Sequence, residues 1–374
     1  MKSQNPTPNE IPKLNSQRPR TGLGFGIWGF IGIWGLGFLL SCATPPPAPR
    51  PLPRLTLDAH VREIHALTFS PKGELFASAG GGNDPAVDEI TLWTTDTGSR
   101  RMTFANYRGV AASLAFSADG KLLAVGATNG RITLLDVESG AERTSFTGTA
   151  GRVSALGFTF DGKVLVSVVQ MEDEATEVTR WDVDRSAVRA VFRPGATPPV
   201  ALAPDAGTVA WIAPGRPSSI FTTNAETQEK RLISNVGIVR GDTMVYSPDG
   251  RRIAAVHNET WSPIPNRCPY VYLIEVHTGK IQLRSPRLFD VRRGLAMSHD
   301  GQLLARGIDG GFELWDLKIP EVRAIVSEPS SKSEGAELLI FSPNDQTLIS
   351  SDGRGMLLLW DVPKVLRVTD GAVP

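Results

Sequence analysis

The chain has 374 residues, with 39 basic side chains against 39 acidic ones, so no global surplus points to nucleic acid. Its two cysteines, Cys42 and Cys268, are too few for a disulfide framework or a cysteine-based zinc site. Thirty-seven glycines and 28 prolines fit a chain of short strands joined by turns.

Residues 1–20 are polar, with Lys2, Lys13, Arg18 and Arg20 against Glu10. Residues 21–41 carry no charge and run into Leu39-Leu40-Ser41-Cys42. A positive start, an apolar stretch and small residues before a break read as an export signal over 1–41. The tetrapeptide resembles the lipobox of bacterial lipoproteins. That resemblance implies cleavage after Ser41 and lipid attachment at Cys42. A competing reading keeps 21–41 as an uncleaved anchor, since a helix of that length spans a bilayer at ~1.5 Å per residue. Both readings place the rest of the chain outside the cytoplasm, tethered in the cell envelope. Residues 42–53 form the tether, and six prolines within 43–53 favour extended polyproline II.

From residue 54 to 370 one pattern repeats. It appears as Phe69-Ser-Pro-Lys-Gly73, Phe116-Ser-Ala-Asp-Gly120, Phe158-Thr-Phe-Asp-Gly162, Leu202-Ala-Pro-Asp-Ala206, Tyr246-Ser-Pro-Asp-Gly250, Met297-Ser-His-Asp-Gly301 and Phe341-Ser-Pro-Asn-Asp345. The last residues of these units stand 47, 42, 44, 44, 51 and 44 positions apart. A period of that length means an array of equal supersecondary units. Within one unit, 112–116, 122–126, 132–136 and 143–146 read as four strands, and Asn129-Gly130 is a hairpin signal. Second strands such as Leu122-Leu-Ala-Val do not alternate apolar with polar, so both of their faces are covered. Small sheets packed face to face around an axis meet that demand. The expected fold is all-β, a seven-bladed propeller of four-stranded antiparallel blades.

The third strands carry Leu92-Trp93, Trp181-Asp182, Leu314-Trp315-Asp316 and Leu359-Trp360-Asp361, which resemble the Trp-Asp signature of the WD-repeat family. Leu135-Asp136, Phe221 and Ile274-Glu275 stand at the matching place in the other units. The resemblance implies a structural tetrad in the first blade of His60, Ser78, Asp88 and Trp93, part of which Asp309 and Trp315 keep in the sixth. The residues 55–57 align with fourth strands, so an N-terminal strand is expected to complete the seventh blade.

In a four-stranded meander the turns alternate between two ends. The Ser-Pro-Asp-Gly type and its third-to-fourth counterpart share one end and are short. The longer segments 80–89, 170–177, 213–219, 257–270 and 327–336 all fall at the other end, which marks it as the functional face. Candidate partner-binding residues there are Trp261, Tyr270, Glu172, Asp173 and Glu174, the last three in an acidic run that also reads as a solvated loop. The histidines show no metal-ligand spacing, and no catalytic or nucleotide-binding motif is present. The expected function is a non-enzymatic, membrane-tethered scaffold for envelope proteins, without cofactor or nucleic acid. The alternative is an envelope hydrolase or ligand sensor using the central channel.

Overall fold

A computed structural model describes residues 51–81, 89–104, 109–195, 197–213, 218–236, 243–257, 270–284, 291–319, 321–328 and 335–370. Cys42, Cys268, Asp88 and Trp261 lie outside the described residues, as do most of segments 80–89, 213–219, 257–270 and 327–336. No helix among the described residues is long and apolar enough to cross a membrane.

The repeat period becomes seven four-stranded antiparallel sheets arranged in a ring. The second unit shows the match between pattern and structure. Its strands are Ala111–Phe116, Leu122–Ala127, Arg131–Asp136 and Glu142–Thr147, hydrogen-bonded in chain order. Every residue of Leu122–Ala127 is buried, as a strand covered on both faces must be.

The core is a set of wedges between neighbouring blades. Leu123, Val125 and Leu135 of blade 2 pack on Ala77, Ala79 and Leu92 of blade 1. Ala124, Ile132 and Leu134, on the other face of blade 2, pack on Leu165 and Trp181 of blade 3. The seventh wedge joins Ile349, Leu357 and Leu359 to Phe76 and Trp93 of the first blade. Each buried Leu or Ile is worth about 1.5–3 kcal/mol, so stability is spread around the ring.

The last blade is assembled from both ends of the described chain. Leu55–Asp58 pairs antiparallel with Met356–Asp361, with Leu55 opposite Leu359 and Asp58 opposite Met356. The sheet order is therefore Leu55–Asp58, Met356–Asp361, Thr347–Ser351, Leu339–Phe341. With the fourth place already filled, the tail 362–370 has no edge to join and coils into the helix Val362–Asp370. Val362, Val365 and Leu366 form its apolar stripe and pack into the wedge of blades 6 and 7. Asp361, the acid of the last Trp-Asp pair, caps this helix by accepting the Lys364 N–H at 2.8 Å.

The repeated tight turns form a collar at one end of the ring. Their Gly residues take φ between +66° and +74°, as at Gly73 and Gly301. A β-carbon at Gly73 would stand 3.0 Å from Pro343 Cδ of the preceding blade's turn. Ala206 and Asp345 replace glycine yet keep φ at +53° and +57°. The turn geometry therefore outlasts its usual residue, at a cost of about 1–2 kcal/mol for each side chain held there.

Candidate interaction face and the polar network beneath it

Nine residues after each turn anchor comes a residue in the middle of the second strand: Ser78, Val125, Ser167, Trp211, Ala255, Arg306 and Ser350. It lies near the signature position of the third strand, and the two positions change together. In the first blade Trp93 donates to Ser78 Oγ at 2.8 Å, and His60 Nε2 meets the same oxygen at 2.7 Å. Three of the four tetrad residues read from the sequence are thus brought together, and Asp88 lies outside the described residues. Trp181 donates to Ser167 at 2.9 Å and Trp360 to Ser350 at 3.0 Å.

Where the indole is absent, so is the hydroxyl. Blade 2 has Leu135 and Val125, and blade 5 has Ile274 and Ala255, so neither pair of positions strands a buried polar atom. Blade 4 exchanges the two groups. The sequence reading set Phe221 at the Trp position, but the register corrects it: Val209 faces Thr223, so Thr223 holds that place. The indole sits on the second strand at Trp211 and donates to Thr223 Oγ1 at 3.0 Å. In blade 6 the hydroxyl gives way to a fully buried Arg306, whose guanidinium donates to Glu313 at 2.8 Å. Trp315 donates to that same carboxylate at 2.9 Å, while Asp309 is exposed. All five tryptophans among the described residues therefore have an acceptor.

His60 is buried, and its pKa is lowered to about 4 by desolvation first and by the charge of Arg100 second. The imidazole is neutral near pH 7. Ser78 Oγ thus takes the Trp93 N–H and shares a hydrogen bond with His60 Nε2, while Nδ1 of the ring lies 3.7 Å from Glu89 Oε1.

At the long-loop end the best described feature is the acidic segment of blade 3. It is not an irregular insertion. Val164–Gln170 and Thr176–Asp182 stay paired to their last residues, Gln170 opposite Thr176. The five residues 171–175 close them, with Met171 N–H bonded to Ala175 O at 2.9 Å and Ala175 N–H to Asp173 Oδ1 at 3.0 Å. Glu172, Asp173 and Glu174 are exposed on this projecting hairpin. Glu177, read as part of the same acidic run, points inward. It is buried, paired with Arg193 at 3.2 Å and bonded to Thr149. Strand alternation separates it from the run, since Glu177 lies within the paired strand and not at its tip. Tyr270 opens the strand Tyr270–Glu275, facing His257 across the sheet, and so belongs to the blade and not to the loop.

Two cavities flank the inner strands of blades 4 and 5. One of about 200 Å³ lies at the long-loop end and is lined by Ser154, Gln170, Thr176, Pro199, Val200, Thr243 and Met244. Its origin is visible in the backbone: the register slips between Thr197 and Val200, where two prolines lack the N–H that a ladder needs. The other, about 240 Å³, lies among the tight turns and includes Phe160, Pro204, Tyr246 and Pro248. Burial raises the Tyr246 hydroxyl above the usual phenol range, with Asp205 adding to the shift. The short-turn end is thus not featureless, contrary to what turn lengths alone implied. Among the described residues no group of three or more His, Cys, Asp or Glu could hold a metal ion.

Comparison with known proteins falls in line with this geometry. The WD domain, G-beta repeat, matches residues 52–84, and the anaphase-promoting complex subunit 4 WD40 domain matches residues 89–161. Together with seven four-stranded blades, these matches support a WD-repeat propeller. A solved structure, Kuenenia stuttgartiensis hydrazine synthase, aligns over 82% of this chain and 97% of that chain. Its TM-score is 0.65 at 17% sequence identity, a likeness of fold alone. No curated protein matches the sequence.

Proposed function

We propose that the propeller is a membrane-tethered scaffold that presents its long-loop end to other proteins of the cell envelope. WD-repeat architecture is consistent with protein partners, although fold alone does not fix function. The observation that carries the reading is the blade 3 hairpin. It holds Glu172, Asp173 and Glu174 in solvent on a paired, tightly closed tip, while the neighbouring Glu177 is neutralised inside. Three exposed carboxylates on one closed hairpin offer a partner with a basic surface both steering and register. The anchor is the lipidated Cys42 in this reading, and the proline-rich 43–53 holds the ring away from the bilayer.

The test is crosslinking and capture from membranes with the full chain and with a variant whose tip 171–175 is replaced by Asn-Gly. The expected result is loss of specific partners, and weaker capture by the wild type as salt rises. Identical partner sets would remove the face from consideration. Cys42→Ser is expected to release the protein from the lipid fraction. Retention there would favour the uncleaved anchor over 21–41.

A further inference from the structure

We infer that the cavity among the tight turns of blades 3, 4 and 5 is a docking site for an arginine side chain of a partner protein. The inference goes beyond the scaffold reading, which concerns the opposite end of the ring, and does not rest on it.

The turn pattern places equivalent positions side by side around the collar. Its third residue is proline in four of the seven turns and phenylalanine only in blade 3. Phe160 is 75% exposed and lines the cavity, so its ring stands at the rim. The turn that carries it is closed by Gly162 N–H to Thr159 O at 2.8 Å. The three turns and their flanks, 158–164, 201–208 and 244–252, are described throughout.

Two carboxylates set the sign of the ligand. Asp205 and Asp249 line the cavity, and both are exposed. Each uses Oδ1 within its own turn. Asp205 accepts the Gly207 N–H at 2.8 Å, and Asp249 accepts the Arg251 N–H at 3.0 Å and the Ser247 hydroxyl. Oδ2 of each takes no hydrogen bond or ion pair among the described residues. Asp249 also feels the charges of Arg252 and Arg251, and the Arg252 guanidinium reaches Gly301 O of the blade 6 turn at 2.8 Å. Asp205 is therefore the main counter-charge for an incoming cation.

The walls choose among cations. Pro204, Pro248 and Val276 suit an aliphatic stem, and the Phe160 ring suits a flat cation laid against its face. Tyr246 also lines the cavity, and its buried Oη has no hydrogen-bond partner among the described residues. A guanidinium carries five donors in a fixed fork, enough for this oxygen and a carboxylate together. An ammonium is a compact, strongly hydrated charge that gains less from a ring. The volume of about 240 Å³ holds about eight waters at roughly 30 Å³ each, room for one long side chain. Because Phe160, Pro204, Asp205 and Asp249 are all exposed, a side chain can enter while the polypeptide that bears it stays outside the ring.

The experiment is NMR titration of the full chain in detergent with acetyl-Gly-Arg-Gly-amide, its lysine and citrulline counterparts, and free L-arginine. The expected result is saturable binding of the arginine peptide with Kd of about 1 mM, weakening as salt rises. The lysine peptide should bind more weakly and the citrulline peptide, which has the shape without the charge, at least about tenfold more weakly. Free arginine should bind no tighter than the peptide, since its own carboxylate meets Asp205. Asp205→Asn keeps an oxygen for the turn and removes the charge, and is expected to weaken binding about tenfold. Phe160→Ala is expected to weaken it about threefold. Both side chains are exposed, so each variant should melt with the wild type. Absence of saturable binding of the arginine peptide would overturn the proposal. So would equal or tighter binding of the lysine or citrulline peptide, tighter binding of free arginine, or wild-type affinity in either variant. Protein capture by the Asn-Gly variant of the hairpin tip reports separately on the scaffold reading.

Discussion

Ser350 donates to Glu328 Oε1 at 3.1 Å, in the seventh blade, where Ser78 meets His60 in the first. Trp360 donates to the same serine, so Glu328, Ser350 and Trp360 form a second copy of the first blade's network with a carboxylate in place of the imidazole. The serine hydroxyl is the hub in both, accepting the indole N–H and hydrogen-bonding to the residue from the link.

That hub role predicts what its loss does in blade 3, where Trp181 donates to Ser167. Ser167→Val leaves a buried indole N–H without an acceptor and is expected to cost about 1–3 kcal/mol in denaturant unfolding. Adding Trp181→Leu reproduces the apolar pair Val125 and Leu135 of blade 2 and should recover part of that loss relative to the sum of the single changes. Strict additivity in the double-mutant cycle would show that the two positions are independent.

The neutral state of His60 makes stability depend on pH. Its folded pKa of about 4 lies below the unfolded value of 6.5, so the native state binds fewer protons between them. Stability is therefore full above 6.5 and falls as pH drops toward about 4, by about 3 kcal/mol in total. His60→Gln should flatten this part of the profile measured by urea midpoints. An unchanged slope would assign the acid sensitivity to other groups.

Asp345 combines strain with a tie between blades. It sits at φ +57° and accepts the backbone N–H of His299 at 2.7 Å and of Asp300 at 2.9 Å. Asp345→Ala keeps the strained backbone and loses both bonds, and is expected to cost about 1.5–3 kcal/mol. Asp345→Gly loses the same bonds but relieves about 1 kcal/mol of strain. The expected order of melting temperatures is wild type, then Asp345→Gly, then Asp345→Ala.

Deletion of residues 54–59 removes the fourth strand of the last blade and the contacts of Leu55 and Leu57 in its wedge. The melting temperature of the whole ring should fall, because the exposed edge of Met356–Asp361 belongs to a shared framework. A melting curve that matches the full chain would mean the seventh blade stands without it.

The architecture was legible because the turn chemistry is local. A Gly or its stand-in at positive φ recurs on a fixed period, and period 2 alternation fails where both faces are covered. Helix Val362–Asp370 was not legible as such, since Val365-Leu-Arg-Val368 is short and carries β-branched residues that favour strands. What decides its state is remote: the edge it would have joined is taken by Leu55–Asp58. The burial of Arg306 and Glu313 was not legible either, because nothing local says that two opposite charges on facing strands bury each other. Ser78 was read as a tetrad residue, and Ser167 and Ser350 were within reach of the same reading, standing nine residues after their anchors. The cavity at the long-loop end was not, because it depends on a two-proline slip in one blade and on side chains from two others.

The junction in the seventh blade also sets a clock. A chain delivered N-terminus first presents Leu55 about 300 residues before its partner Leu359 exists. At ribosomal rates of about 5–20 residues per second that is a wait of roughly 15–60 s. Six blades can stack during that interval, but the first and last meet only after the final strand is made. The ring is therefore a structure that cannot be finished early, and a young chain carries an unclaimed strand for most of its synthesis.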